Sequence, residues 1–174
     1  MPTPMKLAGR ICQISLGCCY SLKLDQANDV YTIGDSRRGE LTEKERFTWK
    51  KVAGLDGKRV IKIQCGHACS AILTDDGVYA MGNDLFGDGR RNMATKIELP
   101  DVIDISLTFA HILAMTTTGQ VFAWGRNRFL DSGTCGVGTS SIVDKPTRVS
   151  FPDDVTVVEI SAGHLHSIFT CKKK

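Results

Sequence analysis

One pattern of strand-forming residues recurs four times along this chain of 174 residues. Each copy has an apolar stretch, a turn of small residues, a second apolar stretch, a polar turn and an aromatic stretch that ends in glycine. The copies begin near Ile11, Val60, Val102 and Val157, and the fourth contains only the first half of the pattern. Such a repeat predicts an array of similar units that bury their faces against their neighbours. It constrains the architecture strongly and the function very little.

Three anchor positions keep a constant spacing inside the copies. The anchors are an isoleucine, a residue that is glycine in three copies, and a residue with a ring or a thiol, each three positions after the last: Ile14, Ile63, Ile105 and Ile160; Gly17, Gly66, Thr108 and Gly163; Tyr20, Cys69, His111 and His166. A further glycine closes the third strand of the first three copies, at Gly34, Gly82 and Gly125. The isoleucines are 49, 42 and 55 residues apart, and the variation falls in 35–59, 83–101 and 126–156. These segments are predicted to hold the loops and a fourth, outer strand near 47–52, 96–99 and 146–150. Residues 133–144 are rich in glycine, serine and threonine, which predicts a long flexible loop.

The composition excludes several classes of protein. The net charge of +3 is too small to require a nucleic-acid partner, and 42% hydrophobic residues is ordinary for a globular domain. No stretch reaches the roughly 20 apolar residues of a membrane helix, so no membrane association is expected. The seven cysteines are odd in number and two are adjacent. This favours reduced thiols and a cytoplasmic or nuclear location.

Four short strands in a unit of about 40–50 residues are typical of a β-propeller blade. The motifs that specify the family are Gly163 with His166, Asp76-Gly77, and the strands 78–82 and 121–125. They resemble the regulator of chromosome condensation (RCC1-type) family of propeller repeats over about residues 10–170. The expected fold is all-β: a partial propeller of about three to four antiparallel, four-stranded blades. Residues 1–9 are interpreted as a lead-in or edge strand, and 171–174 as a basic tail.

The resemblance implies rings of usually seven blades, whereas this chain holds about three and a half repeats. Blades could begin at the isoleucine strand or at the aromatic strand, and the pattern leaves both phases open. In either phase the terminal blades present unpaired edges and apolar flanks. We therefore expect self-association, a partner propeller segment, or a longer parent chain.

Three local motifs have a structural explanation beside a chemical one. Cys65, His67 and Cys69 are zinc-ligand types, but each also matches a packing position of the repeat. His111 and His166 share one repeat position without a recurring nucleophile or acid beside them, which favours a structural role. Residues 133–140 approach a phosphate-binding loop, but Thr139 stands where lysine is required and no helix pattern follows. We expect no metal, no cofactor and no catalytic residue.

Pairs of arginines follow the glycine that ends each third strand. They are Arg37 and Arg38, Arg90 and Arg91, and Arg126 and Arg128. Because equivalent loops of a radial repeat emerge from one side, these six residues are predicted to form a partner-binding rim. Acidic residues in the same loops dilute this charge, so solvated loop charge is the competing interpretation. Trp124 is expected in the core, and Trp49 either over an outer strand or exposed.

The expected function is a non-catalytic scaffold that binds a protein partner. The resemblance also permits a guanine-nucleotide exchange factor or regulator for a small GTPase, which would work by remodelling the nucleotide pocket without chemistry of its own. Association with chromatin or nucleic acid is a third and weaker expectation, because the charge is mild.

Overall fold

The computed structural model describes residues 10–34, 48–67, 69–83, 90–109, 111–125, 133–138 and 143–174. These ranges contain only β-strands, turns and loops. The strands are β1 (Ile11–Leu16), β2 (Tyr20–Asp25), β3 (Val30–Gly34), β4 (Lys50–Lys51), β5 (Val60–Cys65), β6 (Cys69–Thr74), β7 (Gly77–Asn83), β8 (Arg90–Ile97), β9 (Val102–Leu107), β10 (His111–Thr116), β11 (Val121–Gly125), β12 (Val143–Arg148), β13 (Val155–Ala162) and β14 (Ser167–Lys173).

Consecutive strands form three antiparallel sheets of four strands and one of two. The sheets are β1–β4, β5–β8, β9–β12 and β13–β14, here named the first, second and third blade and the half-blade. The blade phase, which the sequence left open, therefore begins at the isoleucine strand, and the incomplete unit is the last one. The predicted outer strands are present as β4, β8 and β12, of which β8 and β12 begin earlier than expected.

The first strands of the blades form an inner row. β1 contacts β5, β5 contacts β9, and β9 contacts β13. Each of these four strands contains an irregularity in its pairing, between Ile11 and Gln13, Val60 and Lys62, Val102 and Asp104, and Val157 and Glu159. A bulge of this kind increases the local twist of a strand. The same distortion therefore recurs once per blade.

The hairpin at Asp76-Gly77 shows why the polar turns have their composition. Gly77 has a φ of 135°, which glycine adopts more readily than residues with a Cβ. Asp76 Oδ1 accepts a hydrogen bond from the hydroxyl of Thr74 at 2.7 Å, and its Oδ2 lies 2.8 Å from Lys58 Nζ. The ammonium of Lys58 and then this hydroxyl hold the pKa of the Asp76 carboxyl well below its usual range. The turn thus ties the β6–β7 hairpin to the segment before β5.

Buried side chains form two clusters that cross the blade boundaries. One joins the first and second blades, and the other joins the second and third blades to the half-blade. Trp124 is fully buried in the larger cluster, as the sequence predicted. Burial of these apolar faces between sheets is the main stabilising contribution, because each blade alone would leave them in water.

Two segments differ from their interpretation in the sequence. Residues 133–144 were expected to form a long flexible loop, but Cys135 is fully buried in the larger cluster and β12 begins at Val143. Burial raises the pKa of the Cys135 thiol to about 11. The tail at 171–174 is not separate, because β14 continues to Lys173. Residues 1–9 lie outside the described residues. In the ranges given above, no helix has the length and apolar character needed to cross a membrane.

Candidate interaction surfaces

The turn between the first two strands explains the anchors of the repeat. The amide of Gly17 donates to the carbonyl of Tyr20, and Gly163 makes the same bond to His166, each at 2.8 Å. A Cβ on Gly17 would lie 2.7 Å from the ring of Tyr20, and one on Gly163 would lie 2.4 Å from the imidazole of His166. Glycine is required here because the ring three residues later folds back over it.

Polar side chains of one blade bond to the next blade. On the inner row, Ser15 Oγ accepts from the amide of Cys65 at 2.8 Å, and Ser106 Oγ accepts from the amide of Ala162 at 2.9 Å. Each serine lies one residue after an anchor isoleucine, and each amide belongs to the residue two positions after the next anchor isoleucine. At these two boundaries the preceding blade therefore supplies the accepting hydroxyl and the following blade supplies the N–H.

The side chain at the third anchor position makes a second contact from the preceding blade to the following blade. The hydroxyl of Tyr20 donates to the carbonyl of Cys69 and lies 2.9 Å from Ser70 Oγ. In the same way, His111 Nε2 lies 3.0 Å from Ser167 Oγ. The ring of one blade thus reaches the serine that follows the anchor of the next blade.

His111 is buried and bound in a fixed tautomer. The hydroxyl of Ser167 donates to the carbonyl of Thr134 at 2.8 Å, so it can only accept from His111, whose Nε2 must carry the hydrogen. Burial, and secondarily the charge of His166, lower the pKa of His111 to about 4. The imidazole is therefore neutral and serves as a structural link between three segments, in agreement with the role inferred from the sequence.

This burial predicts a specific pH dependence of stability. Between pH 6.5 and pH 4 the unfolded chain binds a proton at residue 111 that the folded chain does not, so stability falls as the pH falls through this window. We expect a loss of about 2 kcal/mol from this group between pH 7 and pH 5. His111→Gln, which can still bond Ser167, should remove that part of the loss. Urea denaturation of both proteins at the two pH values checks this, and equal pH dependence would contradict it.

The cysteines of the possible metal motif are used in packing. Cys65 and Cys69 are buried in the smaller and the larger cluster respectively, and Cys65 Sγ donates to the carbonyl of Ser15 at 3.3 Å. Burial raises the pKa of the Cys65 thiol. Among the described residues, no group of three or more His, Cys, Asp or Glu side chains is arranged to hold a metal ion. These contacts agree with the packing interpretation of the motif.

The described residues include only part of the predicted arginine rim. Arg90 and Arg91 begin β8, where they pair with Asn83 and Gly82 of β7. Arg37, Arg38, Arg126 and Arg128 lie outside the described residues. The three glycines that precede the pairs do occupy one register, since Gly34 pairs with Tyr20, Gly82 with Cys69 and Gly125 with His111. The rim itself stays a prediction.

The pattern of strands and anchors matches a known family. Residues 118–170 match the model described as the regulator of chromosome condensation (RCC1) repeat, and residues 102–129 match a second model of the same description. Residues 102–170 are thus built from RCC1 repeats. The first and second blades share the anchors and strand pairing of the matched region.

Relatives and a solved structure agree with this assignment. The ultraviolet-B receptor UVR8 of Arabidopsis thaliana is 26% identical over 91% of this chain and 38% of the receptor. The human E3 ubiquitin-protein ligase HERC2 is 29% identical over 93% of this chain and 4% of the ligase. Prp20p of Saccharomyces cerevisiae, described with its binding properties to Gsp1p and histones, shares the fold with a TM-score of 0.82 at 19% identity, over 95% of this chain and 44% of Prp20p. The chain thus spans less than half of each of these proteins.

A row of rings crosses the turns between the first two strands of successive units, and the sequence pattern did not predict it. Phe109 lies between two imidazoles, with ring centroids 4.5 Å from His67 and 4.2 Å from His164. Each of the three residues directly follows the second anchor of its repeat. Their equivalent position in the repeat was visible in the sequence, but the position holds His in two units and Phe in the third, so it did not stand out as an anchor. These contacts connect the second blade, the third blade and the half-blade at one end of the inner row.

Proposed function

We propose that this chain is a non-catalytic scaffold that binds another protein through the loops that follow its third strands. The observation that carries the proposal is the common register of Gly34, Gly82 and Gly125, the glycines that precede the three arginine pairs in the sequence. Function on loops held by a rigid frame is a general property of such folds. The frame here is tied together by the directional bonds of Tyr20 and His111.

The chemistry of these loops indicates the kind of partner. Two arginines follow each glycine, and the planar guanidinium group bonds carboxylates and phosphates through paired donors. Since the net charge of the chain is only +3, a local acidic surface on a protein fits better than a long polyanion. We propose a cytoplasmic or nuclear location for this interaction.

A second candidate is a nucleotide-exchange factor or regulator for a small GTPase. The RCC1 repeats support it, together with the fold shared with Prp20p, whose binding properties concern Gsp1p and histones. Such an activity would bind and deform the nucleotide pocket, so it needs a surface rather than a catalytic group. Association with chromatin, the third candidate, rests on the same relative.

Charge reversal tests the rim directly. In Arg90→Glu/Arg91→Glu, each cation that faces an acidic partner becomes a repulsive group, so we expect partner affinity to fall more than about tenfold. The measurement is quantitative pull-down and titration of the stoichiometric partner that the native chain recovers. Lys145→Glu/Arg148→Glu is the matched control, because it makes the same change in charge at exposed positions of β12. Equal binding by all three proteins would refute the rim.

The same preparations separate the other candidates. Faster release of labelled nucleotide from a GTPase panel, lost in the Arg90→Glu/Arg91→Glu protein, would identify an exchange factor. DNA binding that weakens steeply with salt would favour chromatin. A stoichiometric protein partner without either response would favour the scaffold.

A further inference from the structure

The three internal blade boundaries follow one packing rule. The anchor isoleucine of each following blade, and the residue two positions later, lie against the second strand of the preceding blade, since β2 contacts β5, β6 contacts β9, and β10 contacts β13. The residues on the following side are Ile63 and Cys65, Ile105 and Leu107, and Ile160 and Ala162. The residues at the equivalent position of the preceding strand are Leu22, Ala71 and Leu113. All nine are at most 7% exposed.

The same positions are open at the two ends of the array. Ile14 is 58% exposed and Leu16 is 72% exposed on β1, where no preceding blade is described. Ile168 is 60% exposed on β14, at the position equivalent to Leu22. We call these the β1 face and the β14 face. Large apolar side chains exposed together on a sheet face indicate a surface that is covered in the working molecule.

The two faces carry the two sets of polar groups that bond to each other at boundaries inside the chain. At the first and third internal boundaries the preceding blade offers the ring of Tyr20 or His111 and the hydroxyl of Ser15 or Ser106. The half-blade offers exposed His166 and Ser161 at these positions. The following blade offers a serine after the third anchor and an N–H two residues after the isoleucine. The first blade offers Ser21 and the amide of Leu16 there.

We infer that the β14 face of one copy of this chain binds the β1 face of a second copy, as one blade follows another inside the chain. In this interface Ile168 of one copy packs on the strand that carries Ile14 and Leu16 of the other. The imidazole of His166 bonds the hydroxyl of Ser21, and Ser161 accepts from the amide of Leu16. Such a contact is head-to-tail, so each copy keeps one face for a further neighbour. The inference concerns faces outside the arginine rim and can fail or hold independently of it.

The first test is the molar mass of the 174-residue chain in solution, measured over a range of concentrations. We expect a species of two or more chains, and its loss in Leu16→Glu and in Ile168→Glu. Ile103→Glu is the matched control, because Ile103 is 51% exposed and lies outside both faces. Since all three side chains are exposed in the single copy, the substitutions should leave the circular dichroism unchanged. Leu16→Ser and Ile168→Thr replace the glutamates if folding suffers.

The second test uses the direction of the contact. Leu16→Glu retains a native β14 face and Ile168→Glu retains a native β1 face, so an equimolar mixture should form a 1:1 heterodimer although each variant alone is monomeric. Non-specific association of exposed apolar surfaces would not produce this heterodimer from two monomeric variants. A native chain that stays monomeric, an assembly insensitive to both variants or equally sensitive to Ile103→Glu, or a mixture without heterodimer would each overturn the inference.

Discussion

Trp124→Ala is expected to destabilise the chain by about 3–5 kcal/mol. Trp124 is fully buried at the end of β11, opposite Ile112, in the cluster that joins the second blade, the third blade and the half-blade. Its removal leaves a cavity that neighbouring strands cannot fill without breaking their pairing. Domains are typically stable by only about 5–15 kcal/mol, so most of the margin would be lost. Urea denaturation followed by far-ultraviolet circular dichroism measures the effect.

Trp124→Phe is the matched control for this prediction. The indole Nε1 of Trp124 is buried without a hydrogen-bond partner among the described residues. Phenylalanine keeps most of the packing and removes this unsatisfied donor, so the two effects offset each other and the cost should stay below about 1.5 kcal/mol. A Trp124→Ala protein as stable as its phenylalanine counterpart would contradict the placement of the ring in the core.

Gly34→Ala is expected to destabilise the chain to a similar extent. Gly34 ends β3 with a φ of 127°, a conformation that residues with a Cβ rarely adopt. A Cβ there would also lie 2.4 Å from the carbonyl oxygen of Cys19 and 2.5 Å from Cα of Tyr20, which are backbone atoms that cannot move aside. Backbone strain and overpacking together predict a loss of about 2–6 kcal/mol in unfolding free energy.

Gly57→Ala separates the two contributions to this loss. Gly57 also has a positive φ, 73°, but nothing lies within 4 Å of a Cβ at that position. This substitution should therefore cost only the strain, about 1–2 kcal/mol. If the two variants unfold at the same urea concentration, the close approach of Gly34 to Tyr20 has no energetic weight.

The architecture could be predicted from the sequence because the anchor residues make packing contacts that every blade requires. The Gly17–Tyr20 spacing reflects a ring folded over a turn, and the Asp76-Gly77 pair reflects a hairpin with positive φ. Both constraints act within a few residues, so they leave a local signature. The phase of the blades was not accessible, because it depends on which strands pair across the long segments between repeats.

Contacts made by a single residue in a single blade could not be predicted from the repeat pattern either. Lys23 is buried at a position that Ile72 and Ala114 occupy in other blades, with its Nζ 4.7 Å from the ring centroid of Tyr31 and 5.0 Å from that of Trp49. This contact explains why Trp49 is half-buried. The sequence had left two alternatives for this residue, a position over an outer strand or an exposed position. Buried Cys135 is a similar case, since a segment rich in glycine, serine and threonine gives no periodic sign of a core residue.

The directional bonds between blades have a consequence for how cooperatively the chain unfolds. Because each bond joins only adjacent blades, the free energy approximates a sum of unit and nearest-neighbour terms, as in a one-dimensional lattice. The second and third blades are held on both sides, whereas the first blade and the half-blade are each held on one. Fraying should therefore start at either terminus of the array and travel inward. A molecule capped at both ends would lose those starting points.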